Sequence, residues 1–168
     1  MCGIIAVVRR RSDRPPASSA EVLTLLEQAT DSVTGAAQLP PGIQLADLLA
    51  TATEPLVAAD RLLRGAPGVR TLLADTALVP AADRLVAAVE AEADAVEAAL
   101  DHAESRGVTG GFEPVNAALV DLRDAAWALR RDRLPTARKV ATLAGADPGP
   151  AAVEAYLSVQ QVLSAIDR

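Results

Sequence analysis

The sequence is short of aromatic residues, cysteine and histidine. Phe, Trp and Tyr make up 2% of its 168 residues, and it has one Cys and one His. A single cysteine excludes an intramolecular disulfide framework and a multi-cysteine metal site. A zinc site built on His102 would need carboxylates to complete it, so we expect no metal and no cofactor. With so few aromatic residues, the core must be built from Ala, Leu and Val, which favours closely packed helices.

Two further absences bear on location and partners. No apolar run approaches the roughly 20 residues that span a bilayer. The apolar stretch at the start is too short for a signal peptide, and arginines follow it rather than precede it. We therefore expect a cytoplasmic protein that inserts in no membrane. The net charge of -6 argues against nucleic-acid binding, and the one basic cluster, RRRSDR at 9–14, is typical of a solvated loop.

The first residues differ in character from the rest of the chain. The stretch GIIAVV within residues 1–10 is uninterrupted and rich in β-branched residues, which predicts a short buried strand. Residues 11–19 form a linker, because Pro15 and Pro16 bar a helix there. One strand cannot stand alone, since its backbone groups need a partner sheet. The predicted strand therefore points to strands that these 168 residues do not supply.

Residues 20–145 have the pattern of a helical block, so the fold class is mostly α. Ser18 and Glu21 have the spacing of a capping box at its start. A linker at 146–150 and an amphipathic helix at 151–168 follow the block. In the first half of the block we predict a helix that stops at 35–42 and a helix over 43–65 that is bent or broken near Pro55. A turn at 65–68 and a short helix closed by Pro80 follow. In the second half we predict a long helix over 81–107, a loop over 107–114, a helix over 115–133 and a short helix over 135–145.

Hydrophobic periodicity predicts which faces of these helices are buried. Trp127 flanks one such face and is the largest core anchor available. The acidic residues over 83–104 and His102 are expected in solvent. Gly107 is the candidate C-cap of the long helix, and the glycines at 107, 110 and 111 are typical of a loop. The predicted core stripes are Leu85, Val89, Val96 and Leu100 on the long helix, and Leu119, Leu122, Ala126 and Leu129 on the next.

The only cysteine is residue 2, and this position suits catalysis. If Met1 is removed, Cys2 carries both a thiol and a free α-amino group. The thiolate is the attacking form, and the amine, directly or through one water, can take the thiol proton and later protonate a leaving group. The alternative interpretation is a chance thiol at a chain terminus.

The opening Met-Cys-Gly-Ile-Ile resembles the amino terminus of the class II glutamine amidotransferases, a group of N-terminal-nucleophile hydrolases. The stretch LSVQQVLSAIDR at 157–168 looks like the first helix of the glucosamine-6-phosphate synthase branch, just before its Leu-Glu-x-Arg-Gly-x-Asp-Ser-Ala-Gly segment. The resemblance implies that 1–10 is the first strand of an incomplete α+β domain and 151–168 its truncated first helix. Residues 20–145 would be a helical insertion.

The resemblance also implies a reaction. Cys2 would attack the side-chain amide of glutamine, release ammonia and form a glutamyl thioester that water hydrolyses. Ammonia would then aminate a sugar phosphate, fructose 6-phosphate, to give glucosamine 6-phosphate. The family pattern also needs an Arg-bearing segment, an Asn-Gly oxyanion site and a Gly-Asp-Gly segment, and none occurs in this sequence. We therefore expect the chain to be an inactive fragment by itself. The opening motif alone leaves asparagine synthetase and amidophosphoribosyltransferase open.

A competing hypothesis assigns the function to the helices. Ala-rich stripes permit close self-association, so the block would be an interaction or oligomerisation module without chemistry. Under this hypothesis a charge at Leu122 or Leu129 disrupts assembly or folding, whereas Cys2→Ala has no measurable effect.

Overall fold

A computed structural model describes residues 14–144 and residue 153. The described part is mostly α, as predicted, and no strand occurs among these residues. The predicted strand at 1–10, the linker at 146–150 and the helix at 151–168, apart from Val153, lie outside them. The helices are α1 Ser19–Val33, α2 Ile43–Leu63, α3 Gly65–Ala74, α4 Leu78–Ser105, α5 Phe112–Trp127 and α6 Leu134–Ala144, with a 3-10 turn at Ala36–Gln38 and a π-helical segment at Ala128–Arg133.

Two helix ends have the capping chemistry that the sequence predicts. At the start of α1, the Glu21 N–H donates to Ser18 Oγ at 3.1 Å. At the end of α4, Gly107 adopts a φ of +86°, which suits glycine. The N–H of Gly107 bonds the Glu104 carbonyl at 2.9 Å, and the N–H of Val108 bonds the Ala103 carbonyl at 3.1 Å. These two bonds are the Schellman pattern, which satisfies the last carbonyls of the helix.

Four helices form a bundle in which α1 contacts α2, α2 contacts α5, α5 contacts α4 and α4 contacts α1. The start of α5 lies beside the start of α2, because Gly111 approaches the Pro41 carbonyl. The far ends also meet, since Arg133 bonds Asp60. Helices α2 and α5 are therefore parallel.

Helix α4 runs antiparallel to α5. Glu97, late in α4, pairs with Arg123 of α5, whereas Asp83, early in α4, pairs with Arg130 after α5 ends. The short helices α3 and α6 contact each other at the end where α2 finishes. We call this the junction end, and the end holding Gly42, Gly107 and Gly111 the distal end.

The predicted core stripes are confirmed. Leu122 and Leu129 are at most 1% exposed, and Leu119 and Ala126 are buried beside them. On α4, Val89, Val96 and Leu100 are buried and Leu85 is half-buried. The sequence predicts that the helix over 43–65 is bent or broken near Pro55. Helix α2 continues through Pro55, so it is not broken there.

Two predicted boundaries between α2 and α4 are wrong. The residues at 65–68 are the first turn of α3, not a free turn, and Gly68 is buried against the backbone of Leu63. Pro80 does not close a helix, because α3 already ends at Ala74 and α4 begins at Leu78. Pro80 lies in the first turn of α4, where the missing N–H of proline costs no hydrogen bond.

The segments predicted as a loop over 107–114 and as two helices over 115–133 and 135–145 also differ from the structure. Helix α5 already begins at Phe112. At its other end the π-helical segment carries the chain into α6 without a break, and the Leu134 N–H bonds the Leu129 carbonyl five residues earlier. A regular α-turn would bring the Pro135 ring against the Arg131 carbonyl, and the wider turn relieves that clash.

The prediction that Trp127 anchors the core is wrong, since this residue is 60% exposed. Residues two apart on a helix are rotated by about 200°, so Trp127 and the buried Leu129 lie on opposite sides of the chain. Small and medium side chains therefore fill the core without the largest one.

Candidate functional site

Cys2, the one residue that the sequence predicts as catalytic, lies outside the described residues. The structure does describe where the chain that leads from Cys2 reaches the bundle. The Arg14 guanidinium donates to the carbonyl oxygens of Arg61 and Leu62 at 2.7 Å and of Arg64 at 3.0 Å. These oxygens lie at the carboxyl end of α2, where unpaired carbonyls attract a cation. Arg14 therefore caps α2 and holds the incoming chain at the junction end.

A second contact fixes the incoming chain to α3. The Thr71 hydroxyl lies 3.1 Å from the Ala17 carbonyl and 3.1 Å from the Pro67 carbonyl. Thr71 is only 1% exposed, so its hydroxyl needs these acceptors. The contact places Ala17, which precedes the N-cap of α1, against α3.

The outgoing chain returns to the same helix. Val153 is fully buried in a small apolar cluster with Ala66 and Val69 of α3 and Val140 of α6. Leu73 packs against this cluster, which is separate from the main core of the bundle. The described chain thus enters the bundle at Ala17 and is found again at Val153, both against α3.

The junction end also holds a buried ion pair that sequence reasoning missed. Asp60 is 3% exposed, and each of its carboxylate oxygens faces one arginine. Oδ1 accepts from Arg133 Nε at 2.7 Å, and Oδ2 accepts from Arg64 Nε at 2.7 Å. The only signal in the sequence is an aspartate among the apolar residues of α2. Because both oxygens are bonded to protein, this carboxylate fastens helices together and is not free for catalysis.

The acidic side of α4 is largely exposed, as predicted, with Asp94 and Glu97 in solvent and Asp83 and Glu90 half-buried. Arginines from the next segments pair with these carboxylates. Arg123 bridges Asp94 and Glu97 at 2.8 Å each. This hydrogen bond, supported by the opposite charge, holds the pKa of Glu97 below its ordinary value.

Further along α4, Arg130 bonds both Asp83 and Glu90. The hydrogen bond to Glu90, supported by the opposite charge, raises the pKa of Arg130, so the guanidinium keeps its charge. Carboxylates of α4 therefore pair with one arginine of α5 and with one of the π-helical segment that follows it.

A shallow groove of about 330 Å³ runs between α4 and α5. Its walls contain no Cys, Ser, Thr, Lys or His side chain, and His102 is exposed elsewhere on α4. Among residues 14–144 and 153, no three His, Cys, Asp or Glu side chains are placed to hold a metal ion. No helix within the same residues has the length and apolar character that a membrane crossing requires. The groove residues are Glu97, Leu100, Asp101, Asn116, Leu119, Val120 and Arg123.

Comparison of the chain with protein-family models, with curated proteins and with solved structures gives no match. Any assignment of function therefore depends on the chain's own residues and on where the structure places them.

Proposed function

We propose that Cys2 is the nucleophile of a class II glutamine amidotransferase and that the helical bundle is inserted between the first strand and the first helix of that domain. The observation that supports the insertion is that Ala17 and Val153 both contact the same short helix, α3. A unit inserted into another domain must return the chain close to its point of entry, and units with adjacent ends are the ones that insertion tolerates.

In the proposed chemistry Cys2 supplies both the nucleophile and the base, and glutamine and water are the reactants. The glutamine-binding and oxyanion groups would come from the rest of the domain. After removal of Met1, the α-amine of Cys2 takes the thiol proton and the thiolate attacks the glutamine amide carbon. The protonated amine then donates its proton to the leaving nitrogen, so ammonia departs and a glutamyl thioester remains. Water, deprotonated by the same amine, cleaves the thioester to glutamate and restores the thiol. By the resemblance at 157–168, the ammonia is used to aminate fructose 6-phosphate.

The first test is to read the coding sequence beyond codon 168. Continuation into a segment like Leu-Glu-x-Arg-Gly-x-Asp-Ser-Ala-Gly supports the proposal, because that segment follows the first helix in the glucosamine-6-phosphate synthase branch. A stop codon after Arg168 overturns the proposal, because the glutamine and oxyanion sites then cannot form.

The second test measures glutamate release by the complete encoded protein. Cys2→Ala should abolish release while the circular dichroism spectrum stays unchanged. The matched control is Arg106→Ala, at the distal end of the bundle, which should keep full activity. Glutaminase activity retained by Cys2→Ala would exclude Cys2 as the nucleophile. Production of glucosamine 6-phosphate from fructose 6-phosphate then tests the acceptor.

The bundle supports a second candidate function, interaction with another protein chain. Trp127 is 60% exposed although it is the only tryptophan of the sequence. Exposed tryptophans are frequent anchors of protein interfaces. This role is compatible with chemistry at Cys2, because an insertion can serve assembly while its host domain serves catalysis.

A further inference from the structure

Helix α5 carries a regular stripe of exposed residues along the side of the bundle. The stripe continues into the π-helical segment, and Val120 and Trp127, at 57% and 60% exposure, are its large apolar members. Its positions follow one another at intervals of four, three, four, three and four residues, which is the spacing of a coiled-coil seam. We call these six exposed residues the outer stripe: Glu113, Ala117, Val120, Asp124, Trp127 and Arg131.

The outer stripe complements itself when two copies meet in antiparallel orientation. Suppose that the two-fold axis passes at the level of residue 122. A residue that lies a given number of positions before 122 then faces, on the second copy, the residue that lies the same number of positions after 122. Glu113 then faces Arg131 of the second copy, and this ion pair occurs twice. Trp127 faces Ala117, so the largest side chain meets a small one. Val120 faces Asp124.

A parallel arrangement lacks this complementarity. It would place Glu113 against Glu113, Arg131 against Arg131 and Trp127 against Trp127. Like charges directly opposed are unfavourable, and the two bulky rings would hold the helices apart. The charge order along the stripe, negative at the start and positive at the end, therefore selects the antiparallel register.

From this order of charge and size we propose that the outer stripe of α5 is the interface of a symmetric homodimer, with the two α5 helices antiparallel. The same patch serves both copies, so the assembly closes at two chains. The inference refines the interaction role of the bundle and does not depend on the chemistry of Cys2.

One helix from each chain makes a small interface, and Asp124 loses part of its hydration on assembly. We therefore expect a weak dimer, with a Kd on the order of 10 µM. Sedimentation velocity of the full chain over a range of concentrations measures this equilibrium directly. Reducing conditions are needed so that a disulfide between two Cys2 residues is not counted as the dimer.

Trp127 offers a second readout, because it is the only tryptophan. Its emission should shift to shorter wavelength as the concentration rises and the ring leaves water. Trp127→Ala should give a monomer at every concentration with an unchanged helical spectrum, since the side chain contributes little to the core. The matched control is Ile43→Ala on α2, which removes an equally exposed apolar side chain, 65% exposed, outside the stripe.

A charge exchange tests the register. Glu113→Arg and Arg131→Glu should each raise the Kd by about tenfold or more, because each places like charges at both ends of the seam. A mixture of the two variants should form a heterodimer about as tight as the native dimer, since both end pairs are then opposite in sign.

The proposal is overturned by a native chain that stays monomeric well above the expected Kd, or by a dimer that Trp127→Ala leaves intact. It is also overturned if a mixture of the two charge variants does not form a heterodimer. None of these results bears on glutamine hydrolysis. A monomeric protein that releases glutamate would overturn the dimer and leave the proposed role of Cys2 standing.

Discussion

Arg133 reaches back across 73 positions of the chain and donates a hydrogen bond from its Nε to Asp60 Oδ1 at 2.7 Å. The bond ties the π-helical segment to the last turns of α2. Arg64 occupies the other oxygen of the same carboxylate, so the charge of the buried Asp60 is matched on both sides. The junction end of the bundle is held by this arrangement and by Arg14, which caps α2 nearby.

Asp60→Ala should lower the free energy of unfolding by about 2–3 kcal/mol, because it leaves the half-buried Arg133 without its main partner. Urea unfolding followed by circular dichroism measures the change. Asp132→Ala is the matched control, since Asp132 also pairs with Arg133 but is half exposed. The control should cost less than about 0.5 kcal/mol. Equal losses in the two variants would contradict a special role for Asp60.

Gly111→Ala should destabilise the distal end, where α2 and α5 begin. Gly111 has a φ of +84°, and a Cβ there would lie 2.7 Å from the Pro41 carbonyl oxygen. Strain and clash together should cost about 2 kcal/mol or more. The neighbouring Gly110 has neither feature, and a Cβ on it meets nothing within 4 Å. Thermal unfolding should therefore separate Gly111→Ala from Gly110→Ala, and similar melting temperatures would refute the argument.

Ser18→Ala should cost about 1 kcal/mol, because it removes the oxygen that accepts from the Glu21 N–H. Ser19→Ala is the comparison, since Ser19 is the first residue inside α1 and provides no cap. The loss should appear in urea unfolding and as faster amide hydrogen exchange in the first turn of α1. A loss from Ser19→Ala as large as that from Ser18→Ala would rule out the cap as the cause.

The pairing of Glu97 with Arg123 predicts a dependence on pH. The hydrogen bond from Arg123 lowers the pKa of Glu97 in the folded chain. Ionised Glu97 therefore favours the folded state at neutral pH, and this contribution is lost as the pH falls through its folded pKa. Arg123→Gln should return the pKa of Glu97 towards its ordinary value, as carboxyl NMR titration can show. The control is Arg84→Gln, at an exposed position of α4, the helix that carries Glu97. It should leave the titration of Glu97 unchanged.

Much of the local structure could be predicted from the sequence, because it depends on neighbours along the chain. The cap at Ser18, the end of α4 at Gly107 and the buried stripe through Leu122 and Leu129 all follow from spacing and side-chain chemistry. The boundaries around Pro80 could not be predicted in this way. Proline is tolerated in a first turn and disruptive in a helix interior, and which of these applies depends on where the preceding helix ends.

The candidate functional features also divide into those that the sequence determines and those that depend on the tertiary structure. The sequence by itself determined the mostly helical class and the core of small residues. It also determined that Cys2, once Met1 is removed, would carry a thiol and an α-amino group. These features depend on composition and residue order alone. Only the tertiary structure decided that Trp127 faces solvent, that Asp60 has two arginine partners, and that Ala17 and Val153 both contact α3. Each of these features depends on how the helices pack against one another. The helical period shows which residues share a face of one helix, but it does not show which other helix, or whether solvent, covers that face.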